Sequence, residues 1–273
     1  MSKKTNKDEH ILEVSNLVRQ FGGLKAVDVN HLKIKRNKIT ALIGPNGAGK
    51  TTFFNLITGF DTPNSGSWAY NGIQMSNLAP HKMAQLGMIR TFQLTKSLSR
   101  LKVIENMMLG AGEQSGESLF VGLLKPLWIE QERKIEKKAD ELLKRFKLDH
   151  MREEFAANLS GGQRKLLEMA RALMADPETI MLDEPMAGVN PALTQSLLEH
   201  VKGLRDEGKT VVFVEHDMDV VRDISDWVVV MSEGKIIAEG THQDIGANQK
   251  VIDAYLGQHH DQELTRETSE QND

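Results

Sequence analysis

The residues best able to do chemistry form one run, Gly44-Pro45-Asn46-Gly47-Ala48-Gly49-Lys50-Thr51-Thr52, the pattern G-x-x-x-x-G-K-T. Its glycines let the backbone curl so that successive N–H groups point at a single anion. Lys50 would reach the β- and γ-phosphates of a nucleotide, and the Thr51 hydroxyl would hold Mg2+. A tight glycine turn beside a surface lysine would carry the same letters. Context separates the two readings. Apolar Thr40 to Ile43 precedes the loop, and helix-forming Phe53 to Ile57 follows it. Strand, loop and helix together set a partly positive helix N-terminus behind the anion.

A second constellation is Ile180-Met181-Leu182-Asp183-Glu184-Pro185, an apolar strand ending in adjacent carboxylates. Successive strand residues face opposite ways, so the pair can divide labour. Asp183 would hold Mg2+ through water, and Glu184 would orient and polarise the attacking water. D-E-P at a strand end is also a common turn-former. The phosphate loop upstream decides for chemistry, because a Mg2+–nucleotide site needs a second, acidic strand. A third constellation, Leu159-Ser160-Gly161-Gly162-Gln163, opens a helix with Ser160 as N-cap. Alone it reads as an ordinary capped helix. Beside one phosphate loop already present, a second anion-binding helix start suits the ATP of another subunit.

The elements that must position these groups alternate. Strands are expected at Ile11 to Val18 and across Val27 to Ile34, closing a hairpin with an irregularity. A second hairpin runs Ser67 to Tyr70 and Ile73 to Met75, turning at Asn71-Gly72. From Val103 to Phe155 the pattern is helical and charged, with Ile135, Leu142, Leu143 and Phe146 as the apolar face of a helix over Leu127 to Leu148. Buried strands at Thr179 to Leu182 and Thr210 to Val214 flank a helix from Pro191 to Arg205. A late hairpin, Trp227 to Met231 and Lys235 to Ala238, turns at Glu233-Gly234. This alternation implies an α/β fold on a mainly parallel sheet, with extra strands near the start and an inserted α-helical lobe over 94–158. The phosphate loop then sits at the C-terminal sheet edge.

Composition narrows the class. The chain has 273 residues, enough for a sizeable core, and no cysteine, so it has neither disulfides nor thiolate metal sites. Met1 to His10 is polar, and no apolar run approaches the ~18 residues of a membrane span. The net charge of −4 is accounted for by the tail 258–273, which carries five acidic residues against Arg266 and is expected to be disordered. The remainder is near neutral, which argues against a nucleic-acid partner.

With these motifs in place, the chain resembles an ATP-binding cassette (ABC) transporter ATPase subunit over residues 10–257. The motifs stand in that family's order: the Gly44 loop, Gln93 within Arg90-Thr91-Phe92-Gln93, the signature Leu159 to Gln163, Asp183-Glu184, and His216 in Val214-Glu215-His216-Asp217. The resemblance implies a RecA-like P-loop NTPase core with an N-terminal antiparallel β subdomain and an inserted α-helical subdomain. It implies ATP and Mg2+ as ligands. Gln93 would be the lid-loop glutamine touching Mg2+ and the attacking water. His216 would contact the γ-phosphate, and Phe21 would stack on adenine. It further implies a head-to-tail dimer with a second, identical or paralogous, ATPase subunit. Each ATP would lie between one subunit's Gly44 loop and the other's Ser160 signature. Integral-membrane permeases would dock at the cytoplasmic face of the membrane, and an extracytoplasmic binding protein would capture the substrate. Within the family, Ala187-Gly188-Val189-Asn190-Pro191 and the ending Val251 to Gly257 resemble the longer ATPase of branched-chain amino-acid uptake systems. Asn190 stands where most cassettes carry Asp. ATPases of urea uptake and lipopolysaccharide export share many of these features. A soluble ATPase of the same fold is the other class, but such relatives usually carry two cassettes, a coiled coil or a zinc insertion.

Overall fold

The computed structural model describes residues 9–75, 78–91, 99–112 and 125–256. Along the chain come β1 (His10–Phe21), β2 (Leu24–Lys35), β3 (Ile39–Ile43), α1 (Lys50–Ile57), β4 (Ser65–Tyr70), β5 (Ile73–Met75), α2 (Pro80–Gln85) and β6 (Met88–Arg90). Then follow α3 (Val103–Met108), α4 (Lys125–Arg145), α5 (Gly161–Leu173), β7 (Thr179–Asp183), α6 (Pro191–Asp206), β8 (Thr210–Val214), α7 (Met218–Ile224), β9 (Trp227–Ser232), β10 (Lys235–Gly240) and α8 (His242–Gly246). A further helical segment covers 249–256. The chain divides into two compact units, Met1–Pro80 with Leu204–Asp273, and His81–Gly203.

In the first unit, β2, β1, β4 and β5 make an antiparallel sheet in that order. The β1–β2 register shifts between His10 and Leu12 and between Arg19 and Gln20, at the two ends of the hairpin, and it is unshifted across Val27 to Ile34, where the irregularity was expected. The β4–β5 turn takes Asn71 and Gly72 to φ 51° and 73°, the left-handed pair a two-residue hairpin demands. The other sheet of this unit is built around β3. All five of its residues are buried, and all but Thr40 are apolar. It pairs in parallel with β8 on one side and β9 on the other, while β10 pairs antiparallel with β9.

In the second unit, β6 pairs in parallel with β7. Helices α3, α4 and α5 pack on one another. Ala139 and Leu143 of α4, with Phe146 just beyond it, are fully buried, which is the one-sided spacing of an amphipathic helix. Three features depart from the sequence expectation. β6 was not anticipated, because three residues carry too little period to read. Nor were the short helices α2, α7 and α8. Glu184 also lies beyond β7, so strand alternation is not what separates it from Asp183. The tail 258–273 lies outside the described residues.

Candidate functional site

The loop Gly44 to Gly49 leaves β3 and enters α1. Gly49 is the N-cap of α1, left-handed at φ 96°, and caps with no side-chain hydrogen bond. No acidic residue stands in the first turn. The N-cap and first-turn residues therefore put no side-chain cap and no negative charge at this helix start, an arrangement suited to an anion. The glycines serve different ends. A Cβ on Gly44 would come within 2.0 Å of the Met231 carbonyl oxygen, and one on Gly49 within 2.1 Å of that of Ala26. Gly47 is left-handed at φ 78° yet faces open space. The outer two glycines dock the loop, and the middle one leaves room for a ligand. Lys50 Nζ donates to the carbonyl oxygens of Gly44 and Pro45 at 2.6 and 2.9 Å, so it lies folded against the loop that it is expected to serve.

In the parallel register Leu42 lies beside Val214, so β3 and β8 end at one edge. Glu215 is buried there, while the adjoining His216 side chain is 66% exposed. The His216 imidazole lies 3.8 Å from the Glu215 carboxylate, and its backbone N–H donates to the same oxygen. Phe21 ends β1 half exposed, with the Arg19 guanidinium 4.6 Å from the ring centroid. Tyr255 had no assigned role from sequence. Its hydroxyl is buried against the Gly44 backbone, and burial pushes the phenol above its usual pKa range, opposed in part by that contact.

The second unit carries the other groups. Ser160 caps α5: the Gln163 backbone N–H donates to Ser160 Oγ at 3.3 Å, and Gln163 Oε1 accepts from the Ser160 N–H at 2.9 Å. A Cβ on Gly162 would overlap Leu193 of α6, whereas one on Gly161 would meet nothing within 4 Å. Gly162 is therefore glycine for packing, and Gly161 keeps an open face. Asp183, the last residue of β7, accepts from Arg90 at 2.7 Å. Glu184 then turns to φ 46°, a left-handed backbone costing about 1–3 kcal/mol for a residue with a Cβ. Lys165 of α5 donates to the Glu184 carbonyl at 2.9 Å and holds that turn. This backbone turn is what parts the two carboxylates. Gln93 lies outside the described residues.

Among the described residues no cluster of three or more His, Cys, Asp or Glu forms a metal cage. Taken unit by unit, the first offers the Thr51 hydroxyl and the second the Asp183 carboxylate, each a hard oxygen donor of the kind that Mg2+ takes beside phosphate and water.

A glycine-rich loop feeding an uncapped helix on a parallel α/β sheet defines a P-loop nucleotide-binding cassette. The profile described as "ABC transporter" matches residues 27–187, and one described as "Branched-chain amino acid ATP-binding cassette transporter" matches 235–261. The chain is 42% identical over 247 residues to the probable branched-chain amino acid transport ATP-binding protein LivG of Archaeoglobus fulgidus, covering 90% of this chain and 95% of that one. It is 40% identical over 250 residues to the high-affinity branched-chain amino acid transport ATP-binding protein BraF of Pseudomonas aeruginosa, covering 91% and 98%. A crystal structure of the ADP conformation of an ATP-binding cassette of an ABC transporter superposes with a TM-score of 0.80 at 36% identity, covering 92% of this chain and all of that one. A nucleotide-free cassette gives 0.79 at 37%, covering 90% and 98%. The chain belongs to the ABC transporter family, as an ATP-hydrolysing cassette with that family's fold.

Proposed function

We propose that this cassette is the Mg2+-dependent motor of an importer for branched-chain amino acids. The observation that carries the nucleotide reading is the α1 start, with no side-chain cap and no acid in its first turn, and Lys50 beside it. The substrate class rests on the match at 235–261 and on the printed names of the relatives. The residue roles follow the family's motifs. Gly44 to Thr52 hold the phosphates, and Thr51, Gln93 and Asp183 serve the cation. Mg2+ supplies charge neutralisation on the phosphate oxygens. Water attacks the γ-phosphorus in line, the bond to the ADP oxygen breaks, and inorganic phosphate and ADP leave. Glu184 positions that water and takes up its proton, while Lys50 and His216 stabilise the developing charge.

The signature at Ser160 to Gln163 serves the ATP of a second cassette, identical or paralogous, arranged head to tail. The open Gly161 face supports this role. A solved relative whose title describes a dimeric post-hydrolysis state adds support; it matches with a TM-score of 0.69 at 26% identity. Permease subunits anchor the pair at the cytoplasmic face of the membrane; none of the described helices is long and apolar enough to cross one. An external binding protein reads the substrate, which never touches this chain. Uptake of labelled leucine, isoleucine and valine in cells lacking this subunit tests the reading. A fall in all three is expected. Unchanged uptake, in cells without a redundant system, overturns the substrate class and leaves the motor standing.

A further inference from the structure

Asp183 and Arg90 meet because β6 and β7 run in parallel, with Arg90 opposite Met181 and the Thr91 N–H donating to the Met181 carbonyl at 3.0 Å. Arg90 Nη2 then donates to Asp183 Oδ2 at 2.7 Å. Both side chains are largely withdrawn from water, 7% and 15% exposed. A carboxylate this buried needs a positive partner. The bond joins Nη2 of the guanidinium to Oδ2 of the carboxylate, a charge-assisted pair. Beside the pair lies a recess lined by Thr91, Lys165, Glu168 and Asp183.

We propose that Arg90 is a built-in counterion that occupies Asp183 before nucleotide binds, so that a divalent cation must compete with it for the carboxylate. The inference deepens the reading of Asp183 as a cation-serving residue and rests on it. The physical reason is linkage. Arg90 stabilises the metal-free state by compensating Asp183, and its fixed positive charge opposes a second cation at the same group. Removing Arg90 leaves a largely buried carboxylate without this counterion, and a cation that supplies the missing charge then binds more strongly. Arg90 acts through Asp183, which makes it a positioning residue with a consequence for metal affinity.

The test uses the full chain and a fluorescent ADP analogue, which cannot be hydrolysed. Affinity is measured first in EDTA, then as Mg2+ is titrated in, for the wild type, Arg90→Met, Asp183→Asn and the double variant. Competition between two cations for one carboxylate is a coupling free energy, ordinarily about 5- to 150-fold in affinity. The Mg2+ midpoint of Arg90→Met should therefore fall about tenfold, with EDTA affinity unchanged. Its metal-free melting temperature should drop, and Mg2+ with ADP should raise it more than in the wild type. In the Asp183→Asn background the Arg90 effect on Mg2+ should vanish. If Arg90→Met yields no folded protein, Arg90→Lys is titrated instead. It keeps the charge but shortens the reach, and it should move the midpoint the same way by less. A midpoint unchanged or raised by the Arg90 variant overturns the proposal, as does an effect that survives in Asp183→Asn. If Asp183→Asn alone leaves the Mg2+ demand unchanged, the reading of Asp183 fails instead, and the two failures are told apart.

Discussion

The two signature glycines make opposite predictions. A Cβ on Gly162 would lie 1.8 Å from Leu193 Cδ2 and 3.2 Å from its Cγ. Leu193 is half-buried, so its tip can rotate aside, and the cost falls near the lower part of the overpacking range of about 1–3 kcal/mol. Alanine returns about 1 kcal/mol at most through helix propensity. Gly162→Ala should thus be destabilised by up to about 1 kcal/mol net. On Gly161 the added methyl meets nothing, so only the propensity gain remains, and Gly161→Ala should be stabilised by about 0.5–1 kcal/mol. For a chain of this size each kcal/mol moves the melting temperature by about 2–4 °C, so the two variants should separate by several degrees in calorimetry. Function should invert the order. On the proposed role of the signature, the open face of Gly161 receives a second cassette's nucleotide, so Gly161→Ala should lose more turnover in the assembled transporter, despite its higher stability. A Gly161→Ala protein that melts below Gly162→Ala would refute the packing argument. Full turnover by Gly161→Ala would refute the assignment of its open face.

Three further outcomes are expected. Lys50→Ala should weaken nucleotide binding itself, by roughly tenfold or more, because it removes a direct phosphate contact; equilibrium binding to the isolated chain checks this. Glu184→Gln should keep ATP affinity and lose most turnover, and near-normal hydrolysis by the purified variant would sink the water-positioning role. Lys165→Met removes the donor that holds the left-handed Glu184 carbonyl, so kcat should fall while nucleotide affinity stays, and a change in affinity alone would count against that link.

Much of the fold was written locally. β3 and β8 are short, wholly buried runs, apolar but for Thr40 and Thr210, and a strand buried on both faces leaves that mark in any chain. Asn71-Gly72 specified its hairpin because those residues tolerate the left-handed backbone that the turn needs. The phosphate loop was legible for the same reason: its chemistry depends on consecutive backbone groups, so its signature is contiguous. Ser160 as the α5 cap was equally local, with its capping partner three residues on.

What the sequence alone determined, then, is features whose partners lie within a few residues: the longer strand and helix periods, the phosphate loop, the capped signature, and the order of motifs that marks the family; the short helices α2, α7 and α8, though as local, were too brief to show a period. The tertiary structure decided the rest. Arg90 and Asp183 are 93 positions apart, and only the β6–β7 register brings their charges together. Gly162 is explained by Leu193 of another helix, Glu184's turn by Lys165, and Tyr255's buried hydroxyl by Gly44 at the far end of the chain. A side chain's type states what it can bind. Its long-range partner is set by how strands register and helices pack, and no local pattern of residues encodes that choice.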